Sequence, residues 1–362
     1  MSGYNIRQAF NTIRIPMTPT TASTSEAVEI DYAANLLWNA LAIGYTFTAY
    51  GVSLVLLCLS NGWLNVLGMV LLTHSLVYSA YLSHEFMHSN IFTRRWILGV
   101  RQLNAIGGNL MLWLNGGCYA RFDDLTHLHI GHHVDRVDYA IDFPNWLRSL
   151  PKPLYGLVIA LEWLHIPALD LLLRWRSATA PFWLESRKDE RLRAFVLLLV
   201  RGSLFLGLGL LSWKALPLYG IAYISMIHIL RFMDAFQHTY EVFPLGAPTP
   251  EHDYTFEQSN TFSNIISLQY PWLNLLLLNF SYHNAHHYAM KCPWHNLPAL
   301  DKQLFRDDEI HYIALYRLLW NYHQFRLKRI FSNQGQAVDE EGRLTLDRFY
   351  GGLGVSLLVL PC

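Results

Sequence analysis

Four long apolar stretches constrain the fold of this chain more than any other feature. Three contain no Asp, Glu, Lys or Arg and one contains only Arg201; the stretches are Ala34–Leu59, Trp63–Leu82, Ala194–Trp213 and Leu216–Leu230. A helix needs about 20 apolar residues to cross the ~30 Å hydrocarbon core of a bilayer. The chain is also only 15% charged, against roughly 25% in an ordinary soluble domain. We therefore expect an integral membrane protein with about four spans, and a soluble enzyme is excluded.

The connections between these stretches predict two helical hairpins. Only Ser60–Gly62 separates the first pair and Lys214–Ala215 the second, so each pair returns to the side of the membrane from which it started. Two further apolar stretches, Trp96–Trp113 and Leu154–Leu173, contain charged residues, which are costly in lipid. We expect these two at the membrane interface or packed against a functional site. The predicted fold is all-α, with two transmembrane hairpins and a helical cap on one side.

Positive charge is concentrated on the cap side of the predicted hairpins. The links on the other side contain only Lys214, whereas the cap side contains Arg94, Arg95, Arg101, Arg121, Arg174, Arg176, Arg187, Lys188, Arg191 and Arg193. Because cytoplasmic loops are enriched in Lys and Arg, we expect the cap to face the cytoplasm. The formal net charge of zero gives no reason to expect a nucleic-acid partner.

The remaining sequence suggests a division into three regions. Residues 1–32 are polar and lack the apolar core of a signal peptide, so we expect a mobile N-terminal arm. Residues 33–302 form the predicted membrane domain. Residues 303–362 are predicted to be an amphipathic helical region, since Asp307–Phe331 has apolar residues at near-helical spacing. The four cysteines are scattered without a C-x-x-C motif, so neither a disulfide framework nor a cysteine metal site is indicated.

Histidines are grouped in four short clusters, all on the cap side. They are His84 and His88; His127, His129, His132 and His133; His238; and His283, His286 and His287. Tracts of this kind are typical of metal binding. Residues at i, i+3 and i+4 share one face of a helix, so each cluster can direct its rings toward a common centre. Eight or nine imidazoles exceed the four ligands of a structural zinc, and we therefore predict two metal ions.

The histidines also fit two alternative functions, a zinc peptidase and a metal transporter. The segment His84-Glu85-Phe86-Met87-His88 matches H-E-x-x-H, in which two histidines of a zinc peptidase hold the metal and the glutamate is the general base. An intramembrane zinc peptidase would leave the two His-His pairs without a role. A metal transporter would need ionisable residues along its spans, and the predicted spans are nearly free of them. Both alternatives are therefore less favoured than an enzyme with two metal ions.

The clusters resemble the three histidine boxes of the membrane-bound fatty acid desaturase and hydroxylase superfamily, over roughly Trp63–Leu300. The matching residues are His84 and His88 in the first box, His129, His132 and His133 in the second, His283, His286 and His287 in the third, and His238 as an extra histidine before the third. The resemblance implies a non-haem di-iron centre with these nine ligands and O2 as co-substrate. The donor set alone would also suit zinc, copper or nickel.

The second box contains an ambiguity, because both His127 and His129 precede the His-His pair. The H-x-x-H-H spacing selects His129 and leaves His127 as a neighbour of the ligands or a surface residue. A ligating histidine usually donates its other N–H to a carboxylate or carbonyl. Carboxylates near the boxes that could do this are Glu85, Asp135, Asp138, Asp142, Asp234 and Glu241.

The resemblance implies an enzyme that removes hydrogen from an unactivated carbon of a fatty-acyl chain, with desaturation the first expectation. Hydroxylation, oxidative decarboxylation to a terminal alkene and carotenoid oxygenation are the alternatives. Gly131-His132-His133 with Asp138 resembles alkane hydroxylases, whereas Cys292–Pro298 resembles acyl-lipid desaturases and carotenoid ketolases. The chain has no cytochrome b5 signature, no G-x-G-x-x-G motif and no cysteine cluster for an iron–sulfur centre. We therefore expect an external electron donor such as ferredoxin, rubredoxin or cytochrome b5.

Overall fold

The computed structural model describes residues 31–93, 99–305, 310–339 and 341–353. Nearly all of the predicted N-terminal arm lies outside these residues, as do Arg94 and Arg95. Within them the chain is mostly helical, which confirms the predicted fold class.

The helices form a continuous series along the described chain. In order they are α1 (Leu36–Cys58), α2 (Gly62–Met87), α3 (Val100–Asn115), α4 (Phe122–Asp135), α5 (Phe143–Ser149), α6 (Lys152–Trp163), α7 (Ala168–Trp183), α8 (Arg191–Leu211), α9 (Ala215–Ala235), α10 (Tyr254–Ser259), α11 (His283–Tyr288), α12 (Leu297–Leu304), α13 (Leu315–Gln324) and α14 (Lys328–Phe331). Two short strands, β1 (Asp138–Tyr139) and β2 (Val242–Phe243), pair in parallel.

Four of these helices are long and apolar enough to cross a membrane, as predicted: α1, α2, α9, and α8 together with the preceding 3₁₀ turn, Glu185–Leu211. Asparagine side chains cap both helices of the first hairpin, because Asn35 and Asn61 each accept two backbone N–H groups from the first turn that follows them. Helix α2 continues past the predicted end of its apolar stretch to Met87. The first histidine box is therefore the last turn of a span.

Polar side chains fix the spans against each other. The Asn65 amide donates to three carbonyls at the end of α1, those of Leu56, Leu57 and Leu59, at 2.8–3.3 Å. Farther along α2, Ser75 donates to the carbonyl of Thr46 in α1 at 2.8 Å. Such hydrogen bonds between helices hold membrane spans in one register.

The two interrupted apolar stretches form helices that pack on the spans. Helix α3 lies against α2 and α4 through Gly107 and Gly108, where an added Cβ would collide with the rings of Phe86 and Phe122. The stretch Leu154–Leu173 is broken into α6 and α7 by a turn that ends at Pro167. Proline fixes its own φ and lacks an N–H, which explains why one helix does not run through the stretch.

A buried ion-pair network joins α6, α7 and α9. Arg231 lies 2.7 Å from a carboxylate oxygen of Glu162 and 2.9 Å from one of Asp170. Glu162 also accepts the backbone N–H of Leu169 at 2.7 Å. Two carboxylates thus compensate the Arg231 guanidinium, which is the arrangement that burial of a charge requires.

The C-terminal region is less helical than the sequence pattern indicated. The pattern over Asp307–Phe331 corresponds to α13 and the short α14, and residues 306–309 lie outside the described chain. Between and around the two helices the Arg329 side chain turns inward and donates to the carbonyls of Asn321 and Tyr350. After α14 the described backbone forms isolated bridges, such as Gly335 with Phe349, rather than a further helix.

Candidate metal centre

Nine of the predicted ligand histidines converge where four pieces of the fold end on one side of the hairpins. The last turn of α2 and its cap contribute His84 and His88, and α4 contributes three histidines from its C-terminal half. His238 follows the end of α9, and α11 contributes the third box. All nine side chains are buried; they are His84, His88, His129, His132, His133, His238, His283, His286 and His287.

Five of the histidines form one group whose ligand nitrogens all lie within 4.8 Å of one another: His84, His88, His129, His133 and His286. The Nε2 atoms of neighbouring rings are closer still. The separations are 3.1 Å for His84 and His286, 2.7 Å for His88 and His129, and 3.2 Å for His133 with His129 and with His286. This group therefore presents five imidazole nitrogens to one small volume.

The other four histidines form a second group beside the first. His132, His238 and His287 meet the same 4.8 Å condition. The Nε2 atom of His283 lies 2.8 Å from that of His238, and the Nε2 atom of His132 lies 3.2 Å from the same atom. The rings of His133 and His287 are in contact, with centroids 4.1 Å apart, so the two groups share a boundary.

Three rings are oriented by acceptors on their outer nitrogen. His84 Nδ1 lies 3.3 Å from Glu85, His287 Nδ1 lies 3.0 Å from Glu257, and His132 Nδ1 lies 3.1 Å from Asp138 and 2.9 Å from the carbonyl of Val137. In a neutral imidazole one nitrogen is an N–H donor and the other a lone-pair acceptor. Because Nδ1 must donate to these oxygens, Nε2 of each ring has a bare lone pair directed into the cluster.

Burial keeps most of these rings neutral. Outside the spans, burial lowers the pKa of seven imidazoles well below the usual value: His88, His129, His133, His238, His283, His286 and His287. His132 differs: burial alone would lower its pKa, but the hydrogen bond to Asp138 and the charge of that carboxylate raise it. A carboxylate partner of this kind makes an imidazole a more basic ligand.

The geometry fits two bound cations. Neutral rings whose lone pairs face each other repel, and a cation between them removes that repulsion. Two nitrogens bound to one ion at ~2.1 Å, with an N–metal–N angle of roughly 90°, would be about 3.0 Å apart. The Nε2 separations of 2.7–3.2 Å lie around that value. In the five-histidine group every potential ligand atom is a nitrogen. Each of the two groups could hold one ion.

The family of the chain follows from comparison with known proteins. The Fatty acid desaturase family model matches residues 61–319. This chain belongs to the fatty acid desaturase family. No curated protein matches the chain significantly. The match spans all four histidine clusters and agrees with the resemblance inferred from the boxes.

In this desaturase-family chain, the structure separates His129 from His127. His129 lies in the five-histidine group with its ring buried, whereas the side chain of His127 is exposed on the opposite side of α4. Two other histidines inside the spans, His74 and His228, are also outside the cluster. His74 bonds to Tyr45 and the carbonyl of Leu276, and His228 to Tyr322 and a backbone carbonyl.

The carboxylates suggested by the sequence have different positions. Glu85 and Asp138 contact ligand-set histidines, whereas Asp135 accepts from Tyr139, Asp142 caps α5, and Glu241 is exposed. Asp234 contacts none of the nine histidines within the described structure.

Glu257 was not anticipated, although it contacts His287 and belongs to a group with His133 that could itself bind a metal. Burial raises its pKa, and the hydrogen bond from Arg136 opposes that rise. No spacing relative to a histidine box marks Glu257 in the sequence, because it approaches the site through α10.

Glu85 does not occupy the position of a peptidase base. Its Oε2 accepts the backbone N–H of Trp294 at 3.1 Å and the Asn90 amide at 3.3 Å, and its Oε1 faces the outer nitrogen of His84. Both carboxylate oxygens are thus engaged on the side of His84 away from the cluster. This arrangement, together with the nine converging histidines, opposes the zinc-peptidase alternative.

Aromatic side chains border the cluster toward the membrane. The ring of Tyr81 stacks on Phe280 with centroids 4.4 Å apart, and Phe280 in turn contacts His84 and His283. Trp63 is 84% exposed at the far end of α2 and cannot line the site. An apolar chain approaching the histidines would therefore meet Tyr81 and Phe280.

We expect His129→Ala to lose bound metal and His127→Ala to retain it, because only His129 directs a nitrogen into the five-histidine group. The measurement is metal content per chain after purification in detergent, with gel filtration to show that both variants are folded. Greater metal loss in His127→Ala than in His129→Ala would show that the second box is assigned to the wrong residue.

We expect Glu257→Gln to weaken metal binding by ~10–100-fold, the usual effect of losing an orienting partner of a ligand. The amide keeps the size of the side chain but removes its charge beside His287. Competition with a chelator measures the change. The matched control is Glu251→Gln, an exposed position on the same segment, and an equal effect of both substitutions would contradict the role of Glu257.

Proposed function

We propose that this chain is a membrane-bound, O2-dependent di-iron enzyme that removes hydrogen from an unactivated carbon of a fatty-acyl chain, and that it is a fatty acid desaturase. One observation carries the proposal most directly. Nine buried imidazoles form two groups at the ends of membrane-spanning helices, in a chain of the fatty acid desaturase family.

The proposed ligands of the two irons are the two histidine groups described above. An acyl chain offers no polarised bond for acid–base or Lewis-acid attack, so a redox-active metal is needed. Zinc has no redox chemistry. When bound, two irons supply the oxidising power, with O2, to take hydrogen from such a carbon. Imidazole suits iron as well as zinc and copper, so the identity of the metal rests on the reaction and the family.

The protein itself contributes position and exclusion of water. Glu85, Asp138 and Glu257 hold their histidine partners in the tautomer that offers Nε2 to the cluster. Tyr81 and Phe280 form an apolar wall on the membrane side. We propose that this wall aligns one carbon of the acyl chain with the metal ions, which determines where the chain is attacked.

We further propose that the metal centre faces the cytoplasm and receives electrons from an external donor of the ferredoxin, rubredoxin or cytochrome b5 type. The orientation is supported by the excess of Lys and Arg on the cap side. The donor is supported by the lack of haem, flavin or iron–sulfur motifs in the sequence, because removal of two hydrogens with reduction of O2 to water requires two further electrons.

Product analysis tests the proposed reaction. A host expressing the chain with an electron donor should contain a new unsaturated acyl chain that is absent with His286→Ala and present with His127→Ala. Lipids, free fatty acids and headspace hydrocarbons are profiled by mass spectrometry. A new alcohol, a volatile alkene or an oxygenated carotenoid would show hydroxylation, oxidative decarboxylation or carotenoid oxygenation instead of desaturation. A product that is still formed by His286→Ala would contradict a histidine-bound metal centre.

A further inference from the structure

A second polar site lies between α3, α7 and α9, away from the histidines. Its central residue is Arg174 in α7, whose guanidinium carbon is 5.7 Å from the ring centroid of Tyr223 in α9. The Nε and Nη1 atoms of Arg174 are buried and have no hydrogen-bond partner within the described structure. A guanidinium is permanently charged and has five N–H donors. Three of these N–H donors, one on Nε and two on Nη1, therefore have no acceptor in the described chain.

Asn115, the last residue of α3, has another buried side-chain donor without a partner in the described residues. Its Oδ1 accepts the backbone N–H of Gly117 at 2.9 Å, which fixes the amide orientation and leaves Nδ2 as the free end. That Nδ2 is buried and unpartnered in the described residues. The next residue, Gly116, has φ +81°, and an added Cβ would lie 2.7 Å from the Tyr223 hydroxyl. The backbone next to Asn115 thus approaches the hydroxyl of Tyr223, and the guanidinium of Arg174 approaches the ring of the same tyrosine.

Among the described residues, two arginines in this region have no acidic partner. Arg201 in α8 is also buried, donates to the carbonyl of Trp113 and lies over the Trp113 ring. Neither Arg174 nor Arg201 forms an ion pair within the described part of the chain. Asp170, one turn before Arg174, is paired with Arg231. Arg231 has two carboxylate partners, and the contrast with that network indicates that the donors at Arg174 serve a ligand from outside the chain.

The surroundings indicate what kind of ligand fits. Leu171, Leu197 and Phe205 pack in the same apolar cluster as Tyr223. A buried unpaired charge and unpaired amide are costly, and an anionic group would satisfy both. A carboxylate matches the planar, bidentate geometry of a guanidinium. An apolar chain attached to that group would lie against the leucine and aromatic side chains.

We propose that Arg174 and Asn115 bind the carboxylate of a long-chain fatty acid, which names the substrate class of the proposed desaturase and rests on that function. Tyr223 lies three turns and more before the end of α9 at Ala235, a rise of ~18 Å for twelve residues, and His238 follows that end. A bound acid would thus present a carbon remote from its carboxylate to the metal ions. This geometry favours attack within the chain over loss of the carboxylate.

The binding test uses purified full-length protein in uncharged detergent micelles. Radiolabelled hexadecanoate is displaced by unlabelled hexadecanoate, by its methyl ester and by phosphatidylglycerol. We expect the acid to bind at least roughly tenfold more tightly than the ester, the effect of a charge-assisted pair. Arg174→Gln should abolish this difference, and Arg176→Gln, a neighbour that lies over two tryptophan rings instead, should preserve it.

Asn115→Asp provides a second, independent variant. In the proposed site the new carboxylate takes the place of the ligand that Asn115 and Arg174 share. We expect it to abolish selectivity for the acid while raising the thermal unfolding midpoint, an outcome that simple misfolding cannot produce. Three results would each overturn the carboxylate assignment. Arg174→Gln could keep the selectivity for the acid, the native protein could bind acid and ester equally, or phosphatidylglycerol could displace the label at a lower concentration than unlabelled hexadecanoate does.

The proposed reaction and this site fail separately. A product that depends on His286 but not on Arg174, with no preference for the acid, would overturn only the carboxylate site. Acid-selective binding without any oxidised product would support the site and overturn the proposed function. A terminal alkene formed from the bound acid would contradict the remote position of attack.

Discussion

The structure depends on holding nine buried imidazoles, most of them neutral, with ring nitrogens close to one another. Burial disfavours protonation of most of these rings. The carboxylates of Glu85, Asp138 and Glu257 accept from the outer nitrogens of three rings, so the inner nitrogens of those three accept rather than donate. Such an arrangement is unfavourable without cations at the centre of each group. Metal binding and folding of the cap are therefore expected to be coupled, since the site is complete only when four separate segments meet.

The membrane hairpins solve the complementary problem of bringing those segments together. Each hairpin starts and ends on the same side, so the ends of α2 and α9 and the segments that follow them are delivered to one place. The continuation of α2 through Met87 means that His84 and His88 are fixed by the span itself. Helix α3 supports this end closely because Gly107 and Gly108 admit the rings of Phe86 and Phe122. The end of α2 is thus closely packed against α3 next to the candidate metal centre.

Sequence patterns predicted the parts of the fold that have a strong local signal. Long apolar runs with almost no charge identified the four spans, and i, i+3 and i+4 spacing within the boxes identified eight of the nine histidines that the structure brings together. The ninth, His238, was indicated by the resemblance to the family. The spacing also chose His129 over the exposed His127. These signals are local because the length of a span and the face of a helix are properties of adjacent residues.

Contacts between residues that are distant in the chain have no comparable pattern in the sequence. Glu257 approaches His287 from a short helix 30 residues earlier, and nothing in its neighbourhood distinguishes it from a solvated glutamate. The pattern over Asp307–Phe331 indicated one amphipathic helix, but the inward turn of Arg329 toward Tyr350 depends on tertiary packing. The proposed role of Arg174 and Asn115 likewise depends on the approach of Arg174 and of Gly116 to Tyr223, which is distant from each in the sequence.

The metal content and ligand environment of the purified protein decide whether the histidine groups form a di-iron centre. Elemental analysis with X-ray absorption at the iron edge should show two irons per chain, each surrounded by imidazole nitrogen at ~2.1 Å. The His286→Ala protein should lose iron while remaining folded. A single stoichiometric zinc with little iron, or a protein that keeps both metals without His286, would contradict the assignment of the histidine groups as a di-iron centre.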